Sequence, residues 1–361
     1  MNMPLLNFRK RLALELFRLY RKNVTRNHQL DYLLWECTLR CNLNCIHCGS
    51  DCHKESDIPD MPIADFLKVI DEIKPFVNSR YTTIVFTGGE PLMRNDLEEC
   101  GLGLYKREFP WGIVTNGALL TENRLESLME AGMRALTISI DGFQASHNRL
   151  RGRPDSYTRA HNALSYLVRT EGLRYDVVTC VSQYNFDELA QFREMLINEG
   201  VKEWRLFTIF PIGRAALDEN LQLKEEQFKA LFDFISINRA DKRLKMSYGC
   251  EGYLADYEGK VRDNFFFCRA GISVASVLAD GSISGCPSLR NNFVQGNIYK
   301  DRFMDVWNNR FQIMRNRKWT KTGECADCES YRHCEGNGLH LRNEKTGELL
   351  FCHHKKLYNN S

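Results

Sequence analysis

The sequence predicts an α/β fold, a partial barrel of six β/α units followed by a small cysteine-rich C-terminal domain. Two observations carry this expectation. From residue 31 onward short apolar runs alternate with amphipathic stretches, the pattern of βα units that build a parallel sheet. Seven of the 14 cysteines then lie from Cys250 onward, where long periodic elements give way to glycine and cysteine. At 361 residues the chain exceeds one domain of about 150 residues, which suggests two.

Residues 5–23 place Leu12, Leu16 and Leu19 on one helical face, with Arg11, Arg18, Arg21 and Lys22 around it. This is a basic amphipathic helix, to be packed on the domain or turned toward a membrane surface or partner. Six strands follow, over Asp31–Glu36, Tyr81–Phe86, Trp111–Thr115, Ala135–Ile140, Tyr175–Val181 and Glu203–Thr208. A helical pattern comes after each, in the first case beyond a cysteine loop. Such units form a TIM-like partial (β/α)6 barrel, whose functional residues belong just past the strand carboxyl ends. A helix over roughly residues 224–238 closes this region. The chain therefore divides into an N-terminal helix (1–28), the barrel (29–240) and the cysteine-rich region (241–361). That last region is too poor in periodic elements to cohere by packing alone, and metal clusters would supply the cohesion.

Composition narrows the classes. Hydrophobic residues at 43% and charged residues at 26% describe a folded globular protein. A net charge of +3 is too weak to imply nucleic-acid binding. No apolar run is long enough for a transmembrane segment. Met1 to Leu6 leads straight into Arg9, Lys10 and Arg11 rather than into a signal-peptide core, so a cytoplasmic location is expected. In a reducing compartment, clustered cysteines read as metal ligands before disulfides.

Cys41, Cys45 and Cys48 stand with three and two residues between them, directly after the first strand. Three thiolates on one tight loop can hold three irons of a cubane cluster and leave the fourth iron open to a ligand. A zinc site would need a fourth ligand, for which Cys37 or Cys52 could be nominated. The second strand runs into Thr87-Gly88-Gly89-Glu90-Pro91, and the fourth into Ser139-Ile140-Asp141-Gly142. Taken alone these are a Gly-Gly turn and an Asp-Gly turn.

Together these segments resemble the radical S-adenosylmethionine superfamily. The resemblance implies a catalytic [4Fe-4S] cluster on Cys41, Cys45 and Cys48, with His47 in the place before the last cysteine. In that family S-adenosyl-L-methionine chelates the open iron, and one electron cleaves it to a 5′-deoxyadenosyl radical. By the same resemblance Gly88, Gly89, Glu90 and Pro91 would meet the methionyl amino group, and Ser139 and Asp141 the ribose. Asn116, and more weakly Asn185, are candidates for the same cleft. Arg149, Arg151 and Arg214 could bind carboxylates; surface salt bridging is the plainer use, and they stay outside the catalytic set.

The later cysteines, Cys268-x12-Gly281-x4-Cys286 and Cys325-x2-Cys328-x5-Cys334 with Cys352, resemble the SPASM auxiliary-cluster extension. This implies one or two auxiliary iron–sulfur clusters. Cys325, Cys328, Cys334 and Cys352 would complete one, with structural zinc as the alternative. Cys250, Cys268 and Cys286 would serve the other, but Gly338 stands where a further cysteine is expected. That leaves open a noncysteine ligand, bound substrate, or a smaller or absent cluster. Cys37, Cys52, Cys100 and Cys180 read as packing residues.

Pro287 stands close after Cys286, where the sulfatase-maturing members carry an aspartate nearby, which weakens a formylglycine-forming role. No residue stands out as a general base. The SPASM resemblance implies a peptide or protein substrate and an electron donor such as flavodoxin or ferredoxin. Within the group, the overall pattern and short basic helix resemble the Bacteroidetes enzymes thought to act with a small partner lipoprotein. A haem-pathway oxidative decarboxylase is the rival reading, and a noncatalytic metal scaffold a third.

Overall fold

The computed structural model describes residues 8–249 and 251–358. Cys250 and the predicted helix start at residues 5–7 lie outside the described residues. In chain order the principal elements begin with α1 (Phe8–Asn27), β1 (Tyr32–Thr38), α2 (Ile63–Ile73), β2 (Thr83–Gly88), α3 (Leu97–Lys106), β3 (Trp111–Thr115) and α4 (Glu122–Glu130). They continue with β4 (Met133–Ser139), α5 (Gln144–Arg151), α6 (Ser156–Arg169), β5 (Arg174–Val181), α7 (Leu189–Asn198), β6 (Glu203–Thr208), α8 (Glu225–Asn238) and β7 (Lys245–Tyr248). The last region adds β8 (Val274–Val277), β9 (Ser282–Ser284) and β10 (Gly296–Asn297).

All six predicted strands form. They sit in one sheet of order β10-β9-β8-β1-β2-β3-β4-β5-β6-β7, in which β8 and β1 through β7 run parallel. Two parallel strands were thus not legible as strands. Strand β7, only four residues long, aligns Lys245 with Glu203 of β6. Strand β8 aligns Val274 with Tyr32 of β1, a partner far away in sequence. The sheet therefore runs on past residue 240 into the cysteine-rich region, and β9 and β10 extend it antiparallel.

The arc holds because alternate strand side chains meet amphipathic helices outside it. Trp35 of β1 stacks on Phe66 of α2 at 4.1 Å between ring centroids, and Phe86 of β2 packs edge-on to Trp35 at 5.3 Å and against Trp111 at 5.1 Å. Each such pair adds about 0.5–1.5 kcal/mol beyond simple area burial. Trp204 of β6 repeats the arrangement against Phe192 of α7. Helix α1 packs on the molecule as well, through Leu14, through Phe17 against Phe265, and through Arg21, which pairs with Glu335. The Leu12, Leu16 and Leu19 face is the one left exposed. Among the described residues no helix is long and apolar enough to cross a membrane.

Candidate active site and auxiliary cluster sites

The site forms at the carboxyl ends of the parallel strands. Strand β1 delivers the chain into the cysteine loop, and the glycine motif after β2 is sewn to its entry: Gly89 N–H donates to the Thr38 carbonyl and Glu90 N–H to the Arg40 carbonyl, both at 2.8 Å. A Cβ at Gly88 would overlap the Thr38 oxygen, and one at Gly89 the Arg40 oxygen. Gly88 also has φ +137°, a region open to glycine at little cost. In this structure, close approach of the cysteine loop is what demands both glycines.

Glu90 is buried and fully engaged. One carboxylate oxygen accepts from Leu92 N–H and the Thr115 hydroxyl, the other from Asn116 N–H at 2.7 Å. Burial pushes its pKa up against those donors. Pro91 opens the one-turn helix that follows. The Asn116 amide donates to Asn42 Oδ1 at 2.9 Å and lies 3.9 Å from Cys41 Sγ.

The cysteine loop is gripped from two further sides. Ile46 N–H donates to the Leu150 carbonyl at the end of α5, and the Arg151 guanidinium reaches Cys45 Sγ at 3.8 Å. From the loop after β6, Arg214 N–H donates to the Cys48 carbonyl, Arg214 Nε to the Cys45 carbonyl at 2.8 Å and Nη1 to the Cys52 carbonyl at 3.2 Å. Arg151 and Arg214, left outside the catalytic set on sequence grounds, are thus both built into this loop. Arg149 instead stacks over Tyr184. For this clasp the sequence offers the turn glycine before Arg214, Gly213, whose φ in the structure is +60° and whose Cβ would crowd the Cys48 carbonyl.

Asp141 is fully buried. Its carboxylate accepts from Cys180 N–H at 2.9 Å and pairs with Arg151 Nε at 2.7 Å, with His47 Nε2 at 3.7 Å. Burial pushes its pKa up, but Arg151 and His47 outweigh that and hold it below the usual carboxylate range. Asn185 braces the same turn, donating to the Asp141 carbonyl. Ser139 ends β4 beside Val178 of β5. Burial lowers the His47 pKa to about 4 and raises that of Cys41 to about 12, whereas a hydrogen bond from the Cys52 thiol brings Cys48 down to about 5. Cys52 packs against the loop thiols.

These residues fit an iron–sulfur cluster with a polar cosubstrate. Three thiols share one loop, Cys41 and Cys45 with an amide and a guanidinium close to the sulfur, and among the described residues Asn42 Nδ2 is buried there without a hydrogen-bond partner. In the C-terminal region Cys325, Cys328, Cys334 and Cys352 line one cavity. Arg342 Nη2 donates to Cys325 Sγ at 3.4 Å, Asn337 N–H to Cys334 Sγ at 3.1 Å and Lys355 N–H to Cys352 Sγ at 3.4 Å, as thiolate ligands require. Cys268 lies elsewhere, with the Leu339 and Ala270 N–H groups directed at its thiol.

A fold of this kind, with a thiol triad at its strand ends and a second thiol cluster beyond, defines a class, and comparison with known proteins names it. Residues 35–196 match the model of the Radical SAM superfamily, and residues 268–329 that of the iron–sulfur cluster-binding SPASM domain. The chain belongs to the radical SAM superfamily and is an iron–sulfur enzyme of its SPASM-bearing group. Among its relatives, the AdoMet-dependent heme synthase of Oleidesulfovibrio alaskensis is 27% identical over 326 residues, covering 84% of this chain and 81% of that one. The mycofactocin maturase MftC of Mycolicibacterium smegmatis is 28% identical over 317 residues, covering 84% and 76%. Two solved structures share the fold at a TM-score of 0.71. Native anSMEcpe with bound AdoMet and the Cp18Cys peptide is 19% identical and covers 92% of this chain and 95% of its own. Streptococcus suis SuiB bound to its precursor peptide SuiA is 16% identical and covers 99% and 83%.

Proposed function

We propose that the protein is a peptide or protein maturase. Cys41, Cys45 and Cys48 hold the catalytic [4Fe-4S] cluster, and S-adenosyl-L-methionine lies among His47, Gly88, Gly89, Glu90, Pro91, Asn116, Ser139 and Asp141. When bound, cluster and cosubstrate supply a 5′-deoxyadenosyl radical able to abstract hydrogen from a substrate. The chain's own part is positional. Arg214 and the Gly88-Gly89 segment fix the loop, Glu90 ties the turn after β2 to Thr115 and Asn116 after β3, and Asp141 holds Arg151 beside Cys45. Cys325, Cys328, Cys334 and Cys352 hold one auxiliary cluster, and Cys250, Cys268 and Cys286 serve another. In functional terms the division is barrel 29–240 and auxiliary domain 241–361, preceded by the helix of 1–28. A cytoplasmic location and a flavodoxin or ferredoxin as electron donor belong to the same reading.

The observation that carries the peptide reading is the open arc. The end strands of its parallel part, β7 and β8, do not pair with each other among the described residues, so strand pairing does not close the arc, and in this reading an extended chain enters from that side. The relatedness to a mycofactocin maturase supports it. A second reading, oxidative decarboxylation of a porphyrin, is favoured by the similarity to heme synthases. Incubating reconstituted enzyme with S-adenosylmethionine, reductant and either peptides encoded by small neighbouring genes or iron-coproporphyrin separates them. A mass change confined to a peptide supports maturation; carbon dioxide release from the porphyrin replaces it with the second reading.

A further inference from the structure

The first auxiliary set lacks a cysteine at Gly338, and the structure shows what fills that place. A side chain added at Gly338 would meet the His340 imidazole, with Cε1 at 2.7 Å and Nδ1 at 3.0 Å from the Cβ position, and the Glu251 carbonyl oxygen at 2.6 Å. The ring occupies the space that a thiol at residue 338 would use. Two described members of the set, Cys268 and Cys286, are tied to this stretch or to each other through their neighbours. The N–H of Leu339, which lies between Gly338 and His340, is directed at the Cys268 thiol. Gly285, which precedes Cys286, packs against the Gly271 and Ala270 backbone three and two residues beyond Cys268.

Hydrogen bonding supplies a second observation. His353 is bonded to Tyr248 and His354 to Ser330. His340, against Phe210 just past β6, has no hydrogen bond at either ring nitrogen among the described residues. An imidazole with an uncommitted nitrogen is a metal ligand in waiting.

We infer that His340 is the fourth ligand of the first auxiliary iron–sulfur cluster, in place of the absent cysteine at 338. This rests on the proposed assignment of Cys250, Cys268 and Cys286 to that cluster. Histidine for cysteine removes a negative charge from the ligand set and raises the reduction potential, which suits a cluster that accepts an electron.

The test uses full-length protein carrying Cys41→Ala, Cys45→Ala and Cys48→Ala, reconstituted with iron and sulfide, reduced with dithionite, and examined by pulsed EPR alongside an iron count. The expected result is about eight irons and an imidazole ¹⁴N coupling that vanishes in His340→Cys while the iron stays. His340→Ala loses the coupling and sheds iron from one cluster faster under a chelator. Full iron with no nitrogen coupling, or a coupling that survives both replacements, overturns the inference while leaving the cysteine assignments standing. About four irons in the parent would instead overturn the first auxiliary cluster itself, and the inference with it.

Discussion

Arg214 Nε donates to the Cys45 carbonyl at 2.8 Å, so the loop after the sixth strand clasps the cysteine loop after the first. The same side chain also reaches the Cys52 carbonyl and Asp51. Each such bond contributes about 0.5–1.5 kcal/mol, more for a charged donor. Arg214→Ala should therefore loosen the loop and speed loss of the catalytic cluster's iron to a chelator about tenfold or more. Arg214→Lys, which keeps charge but not the fork, should fall between. Unchanged iron retention in Arg214→Ala would contradict the clasp.

Gly89→Ala tests the seam between the two motifs. Its Cβ would collide with the Arg40 carbonyl, a backbone atom that cannot swing aside. The cost is about 3 kcal/mol if the overlap is relieved by a backbone shift. A urea midpoint lowered accordingly, together with poor cluster assembly, is the expected outcome.

Buried histidines predict an acid-sensitive site. His147 is buried, accepts the Asp141 N–H at Nδ1, and has a pKa lowered to about 3 by burial and then by Arg151. Unfolded histidine titrates near 6.5, so below that pH the unfolded chain binds the extra proton. Its contribution is therefore whole above about pH 6.5 and lost as pH falls toward 3, at up to about 1.4 kcal/mol per pH unit. Urea titrations of the apo chain between pH 7 and pH 4 should show this slope, reduced in His147→Asn.

Serine at Cys325 and Cys328 should remove about four irons while 5′-deoxyadenosine formation from S-adenosylmethionine persists. Loss of that cleavage with the catalytic cluster spectroscopically intact would place these thiols in the radical-generating step, contrary to the assignment.

Much of this architecture was legible beforehand, for identifiable reasons. The six strands from Tyr32 to Thr208 alternate with amphipathic helices, and a local pattern suffices to place them. Strands β7 and β8 escaped because four residues carry little periodicity and their partners are fixed by tertiary pairing, Val274 with Tyr32 above all. The thiol spacing identified the cysteine loop, since ligand geometry is written in short-range spacing. Arg214 was singled out only for carboxylate binding, Cys52 only as an alternative zinc ligand and His340 not at all, because their contacts depend on loops that meet only in the folded chain. The exposed Leu12, Leu16 and Leu19 face of α1 shows the converse. An amphipathic pattern tells which residues share a face, not which face the protein covers.

The most direct test of the central claim pairs two assays on anaerobically reconstituted protein, total iron and 5′-deoxyadenosine formed from S-adenosylmethionine under dithionite. The account predicts about eight to twelve irons per chain and deoxyadenosine that disappears when Cys41, Cys45 and Cys48 are all replaced by serine. Deoxyadenosine formed undiminished by that triple variant, or zinc bound in place of iron with no cleavage at all, would contradict it.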